Sequence, residues 1–248
     1  VFFYDLPDGS GPDERPSPEE IVKTTLEVAR IINDEKPDVI LLQELDDGAS
    51  KTDYRDQLAD VLALLTESYP CHASAFYMKS AFTPHPHIRG ATGMKLSTIS
   101  RYQMSKAIRH QLPTIPDNFV VKLFNFKRAV LEVRIPATEK ESVQEEKNVT
   151  GKEVKKEAAF LNTHTDAFAQ GTTTMQDQID RIHAILSDLK AQGIPFVIGG
   201  DFARPAGALD APVVVELDAA RQPRRLHTAG KTQRGGQARV PDRRAARC

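Results

Sequence analysis

The apolar positions of this chain fall into short runs that stop abruptly at a polar or acidic residue, and segments of helical spacing separate them. Pro37-Asp38-Val39-Ile40-Leu41-Leu42-Gln43-Glu44 reads as a buried strand that carries Glu44 to its end. Ala158-Ala159-Phe160-Leu161-Asn162-Thr163-His164 has the same design and delivers His164. Pro195-Phe196-Val197-Ile198-Gly199-Gly200-Asp201-Phe202, bounded by Pro and Gly, predicts a fully buried strand that delivers Asp201. Its paired glycines allow a tight turn and close backbone approach. Further strands are expected at 71–77, on either side of Ser100-Arg101-Tyr102-Gln103 within 93–109, and at 119–124 and 129–135, where Val130, Leu131, Val133 and Ile135 are β-rich.

Between these runs the period changes. Ser17 as N-cap, Pro18 in the first turn and Glu19 and Glu20 near the positive end predict a helix over 17–35. Its inner stripe is Ile21, Leu26 (with Thr25), Ala29 and Ile32, and Pro37 stops it. Tyr54, Leu58, Val61, Leu62 and Leu65 predict a second helix that ends before Pro70. Met175, Ile179, Ile182, Ile185, Leu186 and Leu189 share one face of a third over 172–192, ended by Gly193. Helices feeding apolar strands imply a layered α/β domain.

Two stretches break the pattern. Residues 137–156 are dominated by Glu and Lys and read as a solvated hairpin extension or flexible insertion. Residues 203–248 contain no Phe, Tyr, Ile, Met, Ser or Asn and are rich in Ala, Arg, Pro and Gly. They are expected to be poorly ordered and divide the chain into a domain at 1–202 and a tail at 203–248. The tail reads as foreign to the fold, joined out of frame at about residue 202; the alternative is a basic arm that binds nucleic acid.

Composition narrows the picture only a little. A net charge of -1 gives no global basic field, though a local basic groove remains compatible with it. The two cysteines suggest no disulfide framework, and Cys71 reads as a small buried residue. No run approaches the roughly 18 apolar residues of a transmembrane segment. No obligate protein partner is evident. Val1 is not a start residue, so an earlier N-terminus is expected and no compartment is assigned. His85 and His87 invite a zinc reading, but without a third ligand nearby the simpler expectation is a Pro-stiffened loop at the site's mouth, with Arg89 able to meet a phosphate.

Glu44, His164 and Asp201, each at a strand end, suggest a hard-metal or acid–base site. Glu44 suits an oxygen-seeking cation, Asp201 a base or water orienter, and His164 a donor to a phosphate oxygen.

Strings around these residues resemble the endonuclease/exonuclease/phosphatase superfamily, the DNase I-like phosphoesterases. They are Leu42-Gln43-Glu44, Gly93-Met94-Lys95-Leu96-Ser97-Thr98-Ile99-Ser100-Arg101-Tyr102, Lys127-Arg128-Ala129-Val130-Leu131, Asn162-Thr163-His164-Thr165-Asp166-Ala167 and Gly199-Gly200-Asp201-Phe202, in the family's order. The resemblance implies a four-layer α/β sandwich, with two packed, mainly antiparallel β-sheets flanked by helices and an incomplete second half. It implies Mg²⁺ or Mn²⁺ held by Glu44 and Asp201, His164 at the phosphate, and Asn162 and Asp166 positioning it. Arg128 and Arg101 would meet the phosphate or pair with carboxylates, while Tyr102 packs. The implied activity is metal-dependent hydrolysis of a phosphate ester, whether nucleic acid, phospholipid or small phosphodiester. This sequence departs from the family at Ala203, where an Asn is expected two residues after Asp201, and no Ser-Asp-His-like string follows. The Asn that ends the family's first strand would precede Val1. A catalytically impaired fragment or a non-catalytic phosphate-binding module of the same fold is therefore the alternative, and turnover by this chain is expected to be weak or absent.

Overall fold

The computed structural model describes residues 17–83, 90–116, 126–138, 155–166, 172–202 and 246–248. The strand at 119–124, the loop bearing His85, His87 and Arg89, the bulk of the charged stretch at 137–156 and residues 203–245 lie outside the described residues.

The elements run α1 (Pro18–Glu35), β1 (Val39–Asp46), a 3-10 turn (Ser50–Thr52), α2 (Gln57–Leu64), β2 (Cys71–Thr83), β3 (Gly90–Ser100), β4 (Lys106–Gln111), β5 (Ala129–Thr138), β6 (Lys155–His164), α3 (Thr174–Ala191), β7 (Phe196–Asp201) and β8 (Ala246–Arg247). The strands form two four-stranded sheets, ordered β1-β3-β2-β8 and β4-β5-β6-β7. All pairings are antiparallel except β6 with β7, which α3 connects as a crossover.

Local chemistry explains the helix ends. The Ser17 hydroxyl accepts from the Glu20 amide while the Glu20 carboxylate accepts from the Ser17 amide, a reciprocal cap on two otherwise unpaired donors. Lys36 closes α1 in the left-handed region, and its N–H donates to the Ile32 carbonyl.

Among the described residues the core has three compartments, and they make the layers. Ala73, Ala75, Tyr77 and Leu96 of the first sheet meet Leu131, Val133 and Ile135 of the second. Ile32 of α1 and Leu58 and Val61 of α2 cover the outer face of the first sheet at Ile40, Leu45 and Ile99. Ile182, Ile185 and Leu189 of α3 cover the second sheet at Val130, Ala159 and Leu161. β5 and β6 are thus covered on both faces, which is why their sequences are continuous apolar runs rather than alternating ones. The result is the four-layer α/β sandwich that the resemblance implies.

Several expectations need correction. Leu26 is half exposed, Tyr54 precedes α2 and is exposed, and Ile179 faces outward. The inner face of α3 is completed instead by Thr174 and Gln178, whose amide oxygen accepts from the Asp166 N–H while its nitrogen donates to the Pro113 carbonyl. β7 is not fully buried: Val197 is 42% exposed, because among the described residues β7 is an edge strand. The two cysteines are paired, Cys71 with Cys248, and β8 adds to β2 at His72 and Ala73. A sequence separation of 177 leaves no local spacing from which the pairing could be read.

Gly200 shows how tightly β6 and β7 approach. It has φ +149, and a Cβ there would lie 1.9 Å from the Thr163 carbonyl oxygen. Gly193, at φ +69, has open space around it. Gly200→Ala is therefore expected to cost about 3 kcal/mol or more, against about 1 kcal/mol for Gly193→Ala. Urea unfolding of both variants checks this, and equal losses would contradict the close approach.

Candidate active site

Three strand ends converge at one edge of the sandwich. β1 carries an extra residue against β3: Leu42 pairs with Ser97, yet Leu45 pairs with Lys95. Such a bulge re-aims a side chain, and Glu44 sits within it at φ +58, a conformation that costs a non-glycine residue roughly 1–3 kcal/mol. On the second sheet His164 ends β6 and Asp201 ends β7, and the two are register partners. The Thr165 N–H donates to the Asp201 carbonyl at 2.9 Å, which holds the two ends together.

Asn162 joins the sheets. It is fully buried; its side-chain nitrogen donates to the carbonyls of Leu42 (2.9 Å) and Ser97 (3.0 Å), and its oxygen accepts from Gln43 Nε2 at 2.7 Å. Its amide is thus committed to the frame, so Asn162, expected to position His164 and counted with it among the candidate catalytic residues, is placed as a tie between the two sheets.

The predicted trio is brought together. His164 Nδ1 lies 3.9 Å from Glu44 Oε1 and His164 Nε2 lies 3.8 Å from Asp201 Oδ2. The imidazole is buried, whereas the Glu44 and Asp201 side chains are 41% and 61% exposed. Both carboxylates are therefore open to a ligand from solvent. Burial, and then the Arg128 guanidinium, push His164 down to about 4 against the opposing pull of Asp201. At neutral pH it is an uncharged ring.

Arg128 lies just before β5 and is buried, its charge offset by Asp166, Glu44 and Asp201. Its guanidinium stacks on Tyr77 and Phe126, 4.9 and 4.4 Å from the ring centroids, while Nε and Nη1 have no hydrogen-bond partner among the described residues. A buried guanidinium with unused N–H groups is a donor set for an anion. Asp166, expected to position His164, is buried next to α3 through the Gln178 contact. Asp46 is fully buried two residues from Glu44, and burial raises its carboxyl to about 6 although Lys51 Nζ is 3.2 Å away.

Other residues lie elsewhere or were missed. Arg101 sits at the opposite end of β1, where it stacks on Tyr69 and lies 3.7 Å from Glu67; of its two expected roles it takes the carboxylate pairing. The Tyr102 hydroxyl donates to Asp38, a packing role. Tyr77 and Asp46 carried no signal in the sequence, since an aromatic in a strand and an acid in an Asp-rich turn are unremarkable.

Among the described residues no group of three or more His, Cys, Asp and Glu side chains has metal-holding geometry. That does not suit a closed zinc site. Exposed carboxylates do suit Mg²⁺ or Mn²⁺, which take one or two such ligands and complete their shell with water and substrate phosphate.

His164 and Asp46 should leave opposite marks on stability. His164 titrates lower folded than its ordinary 6.5, so the unfolded chain binds more protons between about 4 and 6.5. Its contribution is fully present above pH 6.5 and is lost as pH falls toward 4. Asp46 is raised from 3.8, so its contribution is present at low pH and is lost as pH rises through about 6. Urea unfolding in chelator isolates the first effect: the stability difference between wild type and His164→Gln should shrink by up to about 3 kcal/mol from pH 7 to pH 4. Parallel curves would contradict it.

A family model described as Endonuclease/Exonuclease/phosphatase family matches residues 14–202. No curated protein sequence matches the chain. Among solved structures, an endonuclease/exonuclease/phosphatase from Beutenbergia cavernae is 20% identical with TM-score 0.47, covering 72% of this chain and 42% of its own. The human Nocturnin catalytic domain with bound sulfate is 16% identical with TM-score 0.46, covering 76% and 58%. Sphingomyelinase C from Streptomyces griseocarneus is 15% identical with TM-score 0.40, covering 74% and 59%. The chain thus spans about half the length of these structures. On the match over residues 14–202, the chain belongs to the endonuclease/exonuclease/phosphatase family.

Proposed function

We propose that the site hydrolyses a phosphate ester with the help of a divalent cation. The observation that carries this reading is the position of His164, within 4 Å of both Glu44 and Asp201 at the meeting of three strand ends. In this reading Glu44 holds Mg²⁺ or Mn²⁺, with Asp201 as a further oxygen ligand. The cation, when bound, supplies positive charge against the charge that develops on the phosphate.

The chain's own residues do the rest. Asp201, exposed at the end of β7, orients a water and can accept its proton. His164, uncharged, donates one ring N–H to a phosphate oxygen. Its burial keeps that donor from being lost to solvent. Arg128 presents its unused N–H groups to the same anion. The substrate class stays broad: nucleic acid, phospholipid and small phosphodiesters share the group these residues address.

A second reading is favoured by Ala203, which stands where the family has an Asn. With no amide there, water or phosphate is less well oriented, and the domain would bind phosphate while turning it over slowly or not at all.

The test is hydrolysis of bis(p-nitrophenyl) phosphate by the full chain with Mg²⁺ or Mn²⁺. Slow turnover is expected, abolished by chelator and lowered at least about 100-fold in Asp201→Asn. Turnover that survives chelator, or that Asp201→Asn leaves unchanged, would overturn the mechanism. Phosphate binding without any turnover would support the second reading.

A further inference from the structure

Tyr77 presents a physical problem. It lies in β2 within the core between the sheets, is 1% exposed, and its hydroxyl makes no well-formed hydrogen bond among the described residues, although it lies close to the Arg128 guanidinium. Burying a hydroxyl without a good partner is costly, so a Phe would serve the core better. If Tyr77 were only filler, its oxygen would be a defect.

Its neighbours give the oxygen a use. The Tyr77 ring meets His164 edge-on, with centroids 5.7 Å apart and planes at 62°. The same ring lies under the Arg128 guanidinium, and Phe126 packs on that cation as well. Stacking on ring faces fixes a guanidinium without consuming its N–H groups. The backbone reinforces the placement, because the Lys127 N–H donates to the Tyr77 carbonyl at 2.6 Å. One side chain of the first sheet therefore touches two of the proposed phosphate-binding groups on the second. The unpartnered atoms Tyr77 Oη, Arg128 Nε, Arg128 Nη1 and His164 Nδ1 all belong to this cluster of touching side chains.

We infer that Tyr77 is a positioning residue of this site, whose ring holds Arg128 and His164 in place and whose buried hydroxyl completes the donor set for a phosphate oxyanion. The inference rests on the proposed phosphate-ester reading and adds to it a residue that no motif marks. It also explains why the polar atoms are left unpaired: the ligand is their missing partner.

Two measurements on the full chain test it. Orthophosphate binding is measured by calorimetry in chelator, and thermal unfolding is measured without ligand. Tyr77→Phe keeps the ring and removes only the oxygen. It should weaken orthophosphate about tenfold while the unliganded midpoint stays level or rises. Tyr77→Leu should weaken orthophosphate further, because Arg128 loses one of its two stacking faces. A structural role alone would leave orthophosphate affinity untouched in both variants, whatever the midpoint does. Tyr77→Phe that binds orthophosphate as tightly as wild type overturns the inference, and if metal-dependent turnover persists in that variant the hydrolase reading stands without it. Wild type that fails to bind orthophosphate overturns the inference; if metal-dependent turnover is also absent, the hydrolase reading falls with it.

Discussion

The side-chain amide of Asn162 is the point at which the two halves of the sandwich are registered against each other. Its nitrogen reaches two carbonyls of the first sheet, Leu42 and Ser97, from a strand of the second, and its oxygen is taken by Gln43. Apolar packing between sheets is non-directional and tolerates sliding. A buried amide does not, since a shift of an ångström or two would leave several desolvated polar groups unpaired. Two residues beyond the tie on β1 lies Glu44, and two beyond it on β6 lies His164. The placement of the site is thus set by a polar contact in the interior, and Asp201 follows through its register with His164.

Around this rigid frame the site itself is left unrelaxed. Glu44 holds a left-handed conformation in a bulge, Arg128 Nε and Nη1 make no well-formed hydrogen bond among the described residues, and neither does the buried Tyr77 hydroxyl beside them. Each of these costs stability, and only a well-packed surround maintains them. A ligand with several acceptor oxygens would satisfy the donors together. The same surround keeps His164 uncharged at neutral pH, so it would meet an anion as a hydrogen-bond donor and not as a competing cation partner for the carboxylates.

Much of this was legible in the sequence, and the reasons differ by element. The Ser17–Glu20 cap and the doubly covered strands leave local patterns, because capping and burial act on neighbouring residues. Glu44, His164 and Asp201 were legible as candidates because each follows within three residues of the end of an apolar run. Asn162 was legible as a positioning residue but not as the tie between the sheets, because its contacts with Leu42 and Ser97 lie far along the chain. Arg101 and Arg128 look alike as basic residues near strands, yet lie at opposite ends of the fold's central strands. Leu26 and Val197 fit a core pattern but face outward, since periodicity gives a face without saying what covers it. The Cys71–Cys248 pairing is wholly non-local.

The central claim is that Glu44 and Asp201 hold a cation directly beside the His164 ring. Mn²⁺ added to protein with labelled histidines measures it directly, through paramagnetic broadening of the ring resonances of the seven histidines. The account predicts that the His164 ring broadens at substoichiometric Mn²⁺, ahead of His72, His110 and His183, and that Glu44→Gln removes the effect. A His164 signal that stays sharp while Mn²⁺ binds elsewhere, or broadening that Glu44→Gln leaves unchanged, would contradict it.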